Sequence, residues 1–446
     1  MQLDEISPHN RQGDYISAPM AMARREFGVP DLYVGRLQLT DFRSYARVTL
    51  VPEGRPVVLT GPNGAGKTNI LEALSFLSPG RGLRGGKLSE VSRLVMDAEN
   101  KDSEDTGSGH SDFGCSDSGS SGSSGHWTVA ARLETPDGTM DIGTGIISGQ
   151  EPAETHENRL ESTYKDTGQR DKRIVRIDGE NGASPAAFGD ILQVVWLTPQ
   201  MDRLFIEAAS GRRRFLDRIV ANFHSSHIRE VNAYERVMRE RNRLLQDGSG
   251  DSAWLDALEG RMAEHGVAVA AARLDAMDRL AGAIEETASC FPRAILSVDG
   301  LLEKGLMAGP ALAVEDDFRR ILRAARGEDA RRGRASAGPH KTDFVVRHKD
   351  KNMPAALCST GEQKALLIGI TLASARITAM SFGAAPILLL DEVVAHLDKA
   401  RRVSLFDELA ILGSQVWLTG TDRILFDELD GGACYYRVEN SIVTEE

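Results

Sequence analysis

Eight consecutive residues carry the clearest chemical signal in the sequence. They fit the phosphate-loop pattern G-x-x-x-x-G-K-[ST] and are Gly61, Pro62, Asn63, Gly64, Ala65, Gly66, Lys67 and Thr68. Glycines let backbone N–H groups surround a phosphate, and the start of a helix adds positive potential. We expect Lys67 to reach the β- and γ-phosphates of ATP and the Thr68 hydroxyl to bind Mg²⁺. A glycine turn that matches by chance is the alternative, which the flanking strand and helix patterns disfavour.

Two adjacent acids follow a short apolar run near the C-terminus. Asp391 and Glu392 come directly after ILLL at residues 387–390. Because a buried parallel strand delivers its C-terminal residues to the ligand edge of a sheet, we expect both acids beside the phosphate loop. Asp391 would then bind Mg²⁺, and Glu392 would be the catalytic base that polarises the attacking water. Solvated acids that merely cap the strand are the alternative, which the phosphate loop disfavours.

The segment CSTGEQK at residues 358–364 precedes these acids by about 30 residues. It resembles the signature sequence of ABC-type ATPases, a superfamily in which two chains enclose two nucleotides. The resemblance implies that Ser359 and Gly361 of one chain contact the γ-phosphate held by the other, aided by the start of a helix. It also implies that Asp398, in AHLD, is the D-loop acid that touches the partner subunit. An ordinary helix cap, Ser followed by Glu three residues later, remains open for this segment.

Three further polar residues stand near the expected nucleotide edge. Gln200 follows the apolar run VVWLTP, where the resemblance places a Q-loop that senses Mg²⁺ and the γ-phosphate. A polar turn residue remains open for this position. Thr419 and Thr421 end the last predicted parallel strand, where many ABC proteins carry a switch histidine. Because no histidine is present there, which residue takes that role stays open.

Two clusters of arginines are candidates for contact with DNA phosphates. They consist of Arg212, Arg213, Arg214 and Arg218, and of Arg331, Arg332 and Arg334. Such clusters can neutralise phosphates and give salt-sensitive, sequence-independent binding. The alternative is that they are solvated helix faces, paired with the nearby Asp217, Glu328 and Asp329.

The elements that must position these residues can be predicted from periodicity. Strand-like patterns lead into the phosphate loop, and three more near residues 126–180 indicate an antiparallel meander. Apolar residues at i, i+3 and i+4 predict helices over residues 201–337, with one break near residues 290–309. Strand and helix patterns alternate again after residue 338. We predict an α/β fold: an ABC-type P-loop ATPase head with a mixed sheet and antiparallel meander, plus an inserted short helical arm domain.

The predicted domain organisation has four parts. Residues 1–30 form an irregular extension, residues 31–200 the first part of the head, residues 201–337 the arm, and residues 338–446 the second part of the head. Two segments within the first part, residues 98–126 and 149–171, are polar and of low complexity. The first contains nine Ser and six Gly in 29 residues, too little apolar surface to order itself, so we predict surface loops.

Composition and charge restrict the class of protein. The 446 residues are 41% hydrophobic and 26% charged, typical of a globular chain. The net charge is −12, but nine of these excess negative charges lie in residues 91–180, so a basic groove elsewhere is not excluded. The longest apolar run we identify, around residues 386–390, is far short of the ~20 residues that span a membrane. We expect no membrane span and no secretory signal.

Cysteine usage indicates the compartment and argues against further metals. Cys115, Cys290, Cys358 and Cys434 are scattered, with no spacing typical of a zinc site or a disulfide framework. This distribution suits a reducing cytosol. No metal beyond Mg²⁺ is indicated.

Five segments together resemble the RecF family of bacterial recombination mediators, from about residue 32 onward. They are DFRSY (41–45), GRRRFLDR (211–218), GPHKTDF (338–344), CSTGEQK (358–364) and LLLDE (388–392). The resemblance implies an ATP-dependent homodimer that binds double-stranded DNA and single-strand/double-strand junctions, with RecR and RecO as partners. It further implies a weak, DNA-stimulated cytoplasmic ATPase that helps load recombinase at gaps, in DNA repair, replication restart and the SOS response.

Two other functions remain open at this point. One is an ATPase subunit of the ABC type, and the other is a nucleotide-gated interaction protein that does not act on DNA. The N-terminal extension and the two low-complexity segments depart from the family pattern.

Overall fold

The computed structural model describes residues 27–93, 126–146, 173–248, 251–287, 289–429 and 431–446. The predictions made for residues 1–26, 98–125 and 149–171 lie outside the described residues.

Eight α-helices occur in the described part of the chain. They are α1 (Lys67–Ser75), α2 (Ala209–Ala221), α3 (His227–Asp247), α4 (Ser252–Glu286), α5 (Leu301–Ala308), α6 (Ala311–Arg332), α7 (Thr360–Phe382) and α8 (Lys399–Leu412). Fifteen strands accompany them in the same ranges: β1 (Tyr33–Phe42), β2 (Tyr45–Leu50), β3 (Val57–Thr60), β4 (Trp127–Thr135), β5 (Gly138–Ile146), β6 (Arg173–Ile177), β7 (Glu180–Asn181), β8 (Val194–Leu197), β9 (Ala294–Asp299), β10 (Asp343–His348), β11 (Met353–Pro354), β12 (Ile387–Leu390), β13 (Val416–Gly420), β14 (Cys434–Glu439) and β15 (Ile442–Glu445).

A six-stranded sheet positions the phosphate loop and the acids. Its order is β15-β14-β3-β13-β12-β8, in which all neighbours are parallel except the edge strand β15. Every residue of β3, β8, β12 and β13 is buried. Such short apolar runs suit a parallel sheet that is covered on both faces. The carboxyl ends of β3, β12, β13 and β8 therefore meet at one edge.

A second six-stranded sheet, of order β2-β1-β4-β5-β6-β7, is entirely antiparallel. Buried and exposed residues alternate along β4, as expected of a sheet with one face in the core. Its β4-β5-β6 part is the predicted meander. Phe42 packs edge to face on Phe76 and on Trp127, with ring centroids 5.9 and 5.5 Å apart. Phe76 and Trp127 contact each other with tilted rings, 5.0 Å apart.

Helices α3, α4 and α6 form a bundle with its own apolar core, which includes Tyr234, Met262 and Phe318. Arg241 is fully buried in this bundle and binds the carboxylates of Glu259 (2.9 Å) and Asp329 (2.7 Å). Because a buried charge must be paired, this cluster ties the three helices together.

Helix α2, the second half of α4 and strand β9 connect the bundle to the head. The segment near residues 290–309, predicted as a non-helical break, consists of strand β9 and helix α5, so the prediction is wrong for Leu301–Ala308. Strand β9 pairs with β10 beyond the arm. Helix α2 and the second half of α4 contribute Leu216 and Leu280 to the same core as α7. The proposed boundaries of the arm at residues 201 and 337 stay a prediction.

Helix α7 is the one described helix that is long and apolar enough, by length and composition, to cross a membrane. Its apolar residues are interrupted by small and hydroxylated ones, so it contains no long uninterrupted apolar run. In the structure, 67% of its most apolar window is buried inside the protein. A core helix has the same composition, and the residues of α7 lie in the main hydrophobic core.

Candidate nucleotide-binding site

The phosphate loop joins β3 to α1 and depends on glycines. Gly61, Gly64 and Gly66 have φ angles of 141°, 80° and 114°, a region that other residues avoid. A Cβ atom at Gly61 would lie 2.1 Å from the Val438 carbonyl oxygen, and one at Gly66 would lie 2.7 Å from the Tyr45 hydroxyl. These two positions therefore accept only glycine, and the loop keeps its N–H groups at the sheet edge.

Lys67 lies within the curve of this loop. Its Nζ donates hydrogen bonds to the carbonyl oxygens of Gly61 (2.7 Å) and Pro62 (2.9 Å). Burial lowers the pKa of Lys67, and the neighbouring carboxylates of Glu392 and Asp391 oppose that shift. The ammonium is thus a buried cation held by weak acceptors, which an anionic phosphate can replace.

Asp391 links the phosphate loop to two strands. The Thr68 hydroxyl donates to its carboxylate at 3.0 Å, and the Thr419 hydroxyl donates to Oδ1 at 2.7 Å. Burial raises the pKa of Asp391, and the hydrogen bonds from Thr419 and Thr68 counteract this only in part. A buried carboxylate beside a hydroxyl is an oxygen donor set that fits Mg²⁺, so both predicted metal-binding residues are suitably arranged.

Glu392 adopts a left-handed backbone conformation, with φ of 51°. Its backbone N–H donates to the Thr419 hydroxyl oxygen at 2.8 Å, which holds this conformation. Residues other than glycine rarely adopt this backbone conformation. Strained conformations of this kind concentrate at functional sites. The half-buried Glu392 lies close enough to Lys67 to influence that residue's pKa, so the two are neighbours at the edge.

Gln200 lies at the same edge, one strand away. It is exposed and belongs to the short 3₁₀ helix Pro199–Arg203, which follows β8. In the sheet, Leu197 at the end of β8 is opposite Leu390 at the end of β12. The strand order therefore places Gln200 and Asp391, which are 191 positions apart in sequence, at the same edge of the sheet.

The signature segment caps α7 on the protein surface. The Ser359 hydroxyl accepts from the Glu362 backbone N–H (3.4 Å), and the Glu362 carboxylate accepts from the Ser359 N–H (3.0 Å). An ion pair with Lys351 and these bonds lower the pKa of Glu362 to about 2. The ordinary helix cap is thus present, and no described contact joins Ser359 or the exposed Gly361 to the phosphate loop of the same chain.

Asp398 has a similar capping position. Its side chain is exposed and accepts from the Arg401 backbone N–H at 2.9 Å, at the start of α8. Both segments for which the resemblance implies contact with the partner chain or its nucleotide therefore face solvent.

Three of the predicted DNA-contacting arginines are engaged inside the protein. Arg212 makes a two-pronged ion pair with Asp343, at 2.7 and 2.9 Å. Arg213 donates to the Thr342 carbonyl oxygen at 2.9 Å. Arg218 stacks on Trp196, 4.4 Å from the ring centroid, and burial lowers its pKa to about 9. These contacts connect α2 to β8 and to the loop before β10.

The other four arginines are exposed: Arg214, Arg331, Arg332 and Arg334. Arg332 pairs with Glu328 at 2.7 Å, as the alternative interpretation anticipates. Asp217 instead pairs with Arg273, and Asp329 pairs with the buried Arg241.

One cluster beside the site was not singled out from the sequence. Glu72 of α1 is fully buried and receives hydrogen bonds from Arg43 (2.9 and 2.7 Å) and Arg84 (2.7 Å). Arg84 also lies near enough to Asp391 to oppose, slightly, the rise in the pKa of that residue that burial causes. The available signal was Glu72 itself, a carboxylate on the apolar face of NILEAL, which requires a cationic partner.

Comparison with known proteins assigns the chain to a family. A model of the RecF/RecN/SMC N terminal domain matches residues 33–442. The DNA replication and repair protein RecF of Brucella abortus (strain 2308) is 45% identical over 414 residues, which is 92% of this chain and 96% of that protein. The chain belongs to the RecF family. RecF of Mesorhizobium japonicum is 43% identical over 413 residues, covering 92% of this chain and 97% of that protein.

Solved structures agree on the fold. A recombination mediator protein RecF of the RecFOR pathway, solved with ATP, matches with a TM-score of 0.70 and 19% identity, over 94% of this chain and 99% of that one. The same kind of protein solved with ATPrS matches with a TM-score of 0.71 and 19% identity, over 94% of this chain and 100% of that one. The predicted α/β ATPase head fold is thus confirmed. Membership of the RecF family also confirms a role in DNA replication and repair and places the chain among the ABC/SMC-class ATPases.

Proposed function

We propose that this chain is an ATP-dependent DNA-binding protein that acts as an ATP-bound homodimer in recombinational repair and replication restart. It binds double-stranded DNA and single-strand/double-strand junctions, hydrolyses ATP slowly with stimulation by DNA, and helps load recombinase at gaps. Its partners are RecR and RecO, and its compartment is the cytoplasm. The observation that carries the proposal is the convergence of Lys67, Thr68, Asp391 and Glu392 at one sheet edge in a RecF-family chain.

Each residue of the edge has a defined part in ATP hydrolysis. The loop N–H groups and Lys67 bind the phosphates, since Lys67 already lies inside the loop with only carbonyl acceptors. Thr68 and Asp391 would hold Mg²⁺, which neutralises phosphate charge when bound. Glu392 takes the proton of the attacking water, and Gln200 senses Mg²⁺ and the γ-phosphate from the neighbouring strand.

The second copy completes the site. Ser359, Gly361 and Asp398 are exposed and have no described contact with the phosphate loop of their own chain. In an antiparallel pair of heads, the Ser359 hydroxyl and the start of α7 reach the γ-phosphate held by the partner. Slow turnover follows, because hydrolysis then requires two chains and bound nucleotide at once.

An interaction protein that does not act on DNA is disfavoured by the family. An exposed Arg214, together with Arg331, Arg332 and Arg334, leaves cations available for phosphates. We propose these four as DNA contacts and give Arg212, Arg213 and Arg218 a structural part, since their guanidinium groups already have partners.

The test is light scattering of the full chain with a gapped DNA duplex, with and without ATP and Mg²⁺. Wild type is compared with Lys67→Ala and Glu392→Gln. We expect ATP to produce a dimer that holds DNA, Lys67→Ala to abolish it, and Glu392→Gln to trap it because hydrolysis no longer releases it. If ATP produces a dimer that does not bind DNA, the proposed roles in nucleotide binding stand and the proposed DNA-binding function is wrong.

A further inference from the structure

A groove separates the arm from the head on the side of α2 and α3. Its walls are the loop at residues 78–82, the 3₁₀ helix Pro185–Asp190, and the facing surfaces of α2 and α3. The main part has a volume of about 640 Å³ and adjoins a second part of about 260 Å³. The two parts share Pro79, Arg81 and Ile228, so they form one continuous channel open to solvent.

Five exposed arginines line this channel, which we call the arginine groove: Arg81, Arg214, Arg229, Arg236 and Arg239. Three of them lie on α3 at spacings of seven and three residues, which places them on one face of the helix. Arg243 extends this row by one more turn and is 84% exposed on its side chain. From Arg229 to Arg243 the row is about 21 Å long, enough to follow about six phosphates of one DNA strand.

The carboxylates near the groove do not cancel this charge. Arg229 and Arg239 have only long contacts, with Glu230 at 3.5 Å and Glu235 at 4.0 Å. Ion pairs at exposed positions are weak, so a phosphate can displace them. Within the described ranges, Arg81, Arg214 and Arg236 have no carboxylate within ion-pair distance. Among the residues that the structure describes, three of the five cations therefore have no carboxylate partner.

The acid at the bottom of the groove is already neutralised. Asp217 binds Arg273 through both carboxylate oxygens, at 2.9 and 3.0 Å, and accepts a third bond from the buried His227 at 2.9 Å. Arg213 lies nearby with a backbone carbonyl as its acceptor. An anionic ligand thus meets five exposed arginines in the channel, against one exposed carboxylate of its lining, that of Glu235.

The aromatic residues at the groove are unavailable for base stacking. Trp196 is covered by the guanidinium of Arg218, and Tyr234 is buried with its hydroxyl bonded to His340. The arginines of the groove can contact phosphates but not base edges, so we expect binding that does not depend on base sequence.

We propose that the arginine groove binds the sugar–phosphate backbone of DNA and is the main DNA contact of each protomer. This inference rests on the proposed function and assigns its DNA-binding surface. The cluster at Arg331, Arg332 and Arg334 is outside the groove and makes a secondary contribution.

The test measures fluorescence anisotropy of a labelled gapped duplex, an intact duplex and a single strand, with the full chain, ATP and Mg²⁺, from about 50 to 200 mM salt. The groove variant is Arg229→Ala/Arg236→Ala/Arg239→Ala. The matched control is Arg319→Ala/Arg320→Ala/Arg323→Ala, three exposed arginines of α6 that do not line the groove. Circular dichroism and ATP binding establish that both variants are folded.

We expect the groove variant to bind duplex and gapped DNA at least about tenfold more weakly, with the slope of log K against log salt reduced by about 2.7. The α6 control should bind as wild type does. Lysines at the same three positions should keep most of the salt dependence, because the phosphate contact is electrostatic. The three probes share the backbone chemistry, and the form bound most tightly identifies which DNA structure the groove prefers.

Two results would overturn the proposal in distinguishable ways. If wild type binds DNA and the groove variant binds equally well, the groove assignment is wrong and the proposed function stands. If wild type binds none of the three probes with ATP present, the proposed function fails, and the groove assignment fails with it.

Discussion

Thr419 serves both acids at the nucleotide edge through one hydroxyl group. The hydroxyl donates to Asp391 Oδ1 (2.7 Å) and accepts from the Glu392 N–H (2.8 Å). A hydroxyl can do both at once, whereas a carboxylate or an amide N–H cannot. Thr419 is thus a positioning residue that fixes the direction of the Asp391 carboxylate and the left-handed backbone at Glu392.

Replacing this hydroxyl tests that role. In Thr419→Val the shape is kept, but Asp391 loses a donor and the Glu392 N–H loses its acceptor. We expect ATP turnover to fall about tenfold, and the free energy of unfolding to fall by about 1–3 kcal/mol. Thr419→Ser retains the hydroxyl and should restore most of the turnover. Equal turnover of the valine and serine variants in a phosphate-release assay would show that the bonds do not matter.

The parts of the nucleotide site that are formed by neighbours in sequence could be predicted from the sequence. The phosphate loop and the pair Asp391–Glu392 are local patterns with a local physical cause. The bond from Thr68 to Asp391 spans 323 residues and depends on strand order. The bond from Thr419 depends on the same order, so the residue was noted for its place but its contacts were not foreseen. Mg²⁺ binding and the DNA contacts stay predictions.

The segment between α6 and β10 shows how one element joins the arm to the head. Gly338 has φ of 133°, and a Cβ there would lie 2.1 Å from the Tyr234 hydroxyl of α3. That hydroxyl donates to His340 Nδ1 at 2.8 Å, while His340 Nε2 donates to the Ala335 carbonyl oxygen at 3.1 Å. Burial lowers the pKa of His340 to about 4, so the ring is neutral at physiological pH.

This histidine predicts an acid sensitivity of the fold. Its folded pKa, about 4, lies below its ordinary value of 6.5, so on acidification the unfolded chain binds a proton first. The stabilisation is complete above about pH 6.5 and is lost as the pH falls towards 4. Between about pH 7 and pH 5, wild type should lose about 2 kcal/mol more than His340→Asn, measured by urea unfolding. Parallel losses in the two proteins would contradict this.

The helices were easier to predict than the sheet. The apolar periodicity of α3 and α4 identifies them because a helix depends on near neighbours in sequence, whereas α7 is buried on most sides and has no apolar stripe. Strand β9 lies in the predicted non-helical break but was not identified as a strand, since its six residues have only two buried side chains. Its partner β10 lies about 50 residues further on, and no local pattern encodes that pairing.

At the scale of the whole molecule, the nucleotide edge and the segments proposed to contact a partner's nucleotide lie in different places on the chain. The loop, the acids and Gln200 meet at one sheet edge, while Ser359, Gly361 and Asp398 face solvent elsewhere on the chain. If the chain acts as the proposed homodimer, two copies related by a two-fold axis would complete two sites at once.

Mixing inactive variants tests this division. Glu392→Gln removes the base of its own chain while keeping the ATP-dependent dimer, and Ser359→Arg damages the site of the partner. Each alone should be inactive, and an equal mixture should recover about a quarter of the wild-type turnover, because half of the dimers hold one intact site. Lys67→Ala mixed with Glu392→Gln is the control, since both defects fall in a chain's own site. Recovery there, or none in the first mixture, would reject the shared site.

Strand β8 begins at the floor of the arginine groove and ends at the nucleotide edge. Gln193 and Trp196 border the groove, and Gln200 follows four residues after Trp196. When two ligands bias the position of one rigid strand, their affinities are linked, and this linkage is reciprocal. Any factor by which ATP tightens DNA binding is then the factor by which DNA tightens ATP binding. A DNA gap would therefore act on this protein as an effector of nucleotide affinity, and chains that have already found a gap would bind ATP at lower nucleotide concentrations.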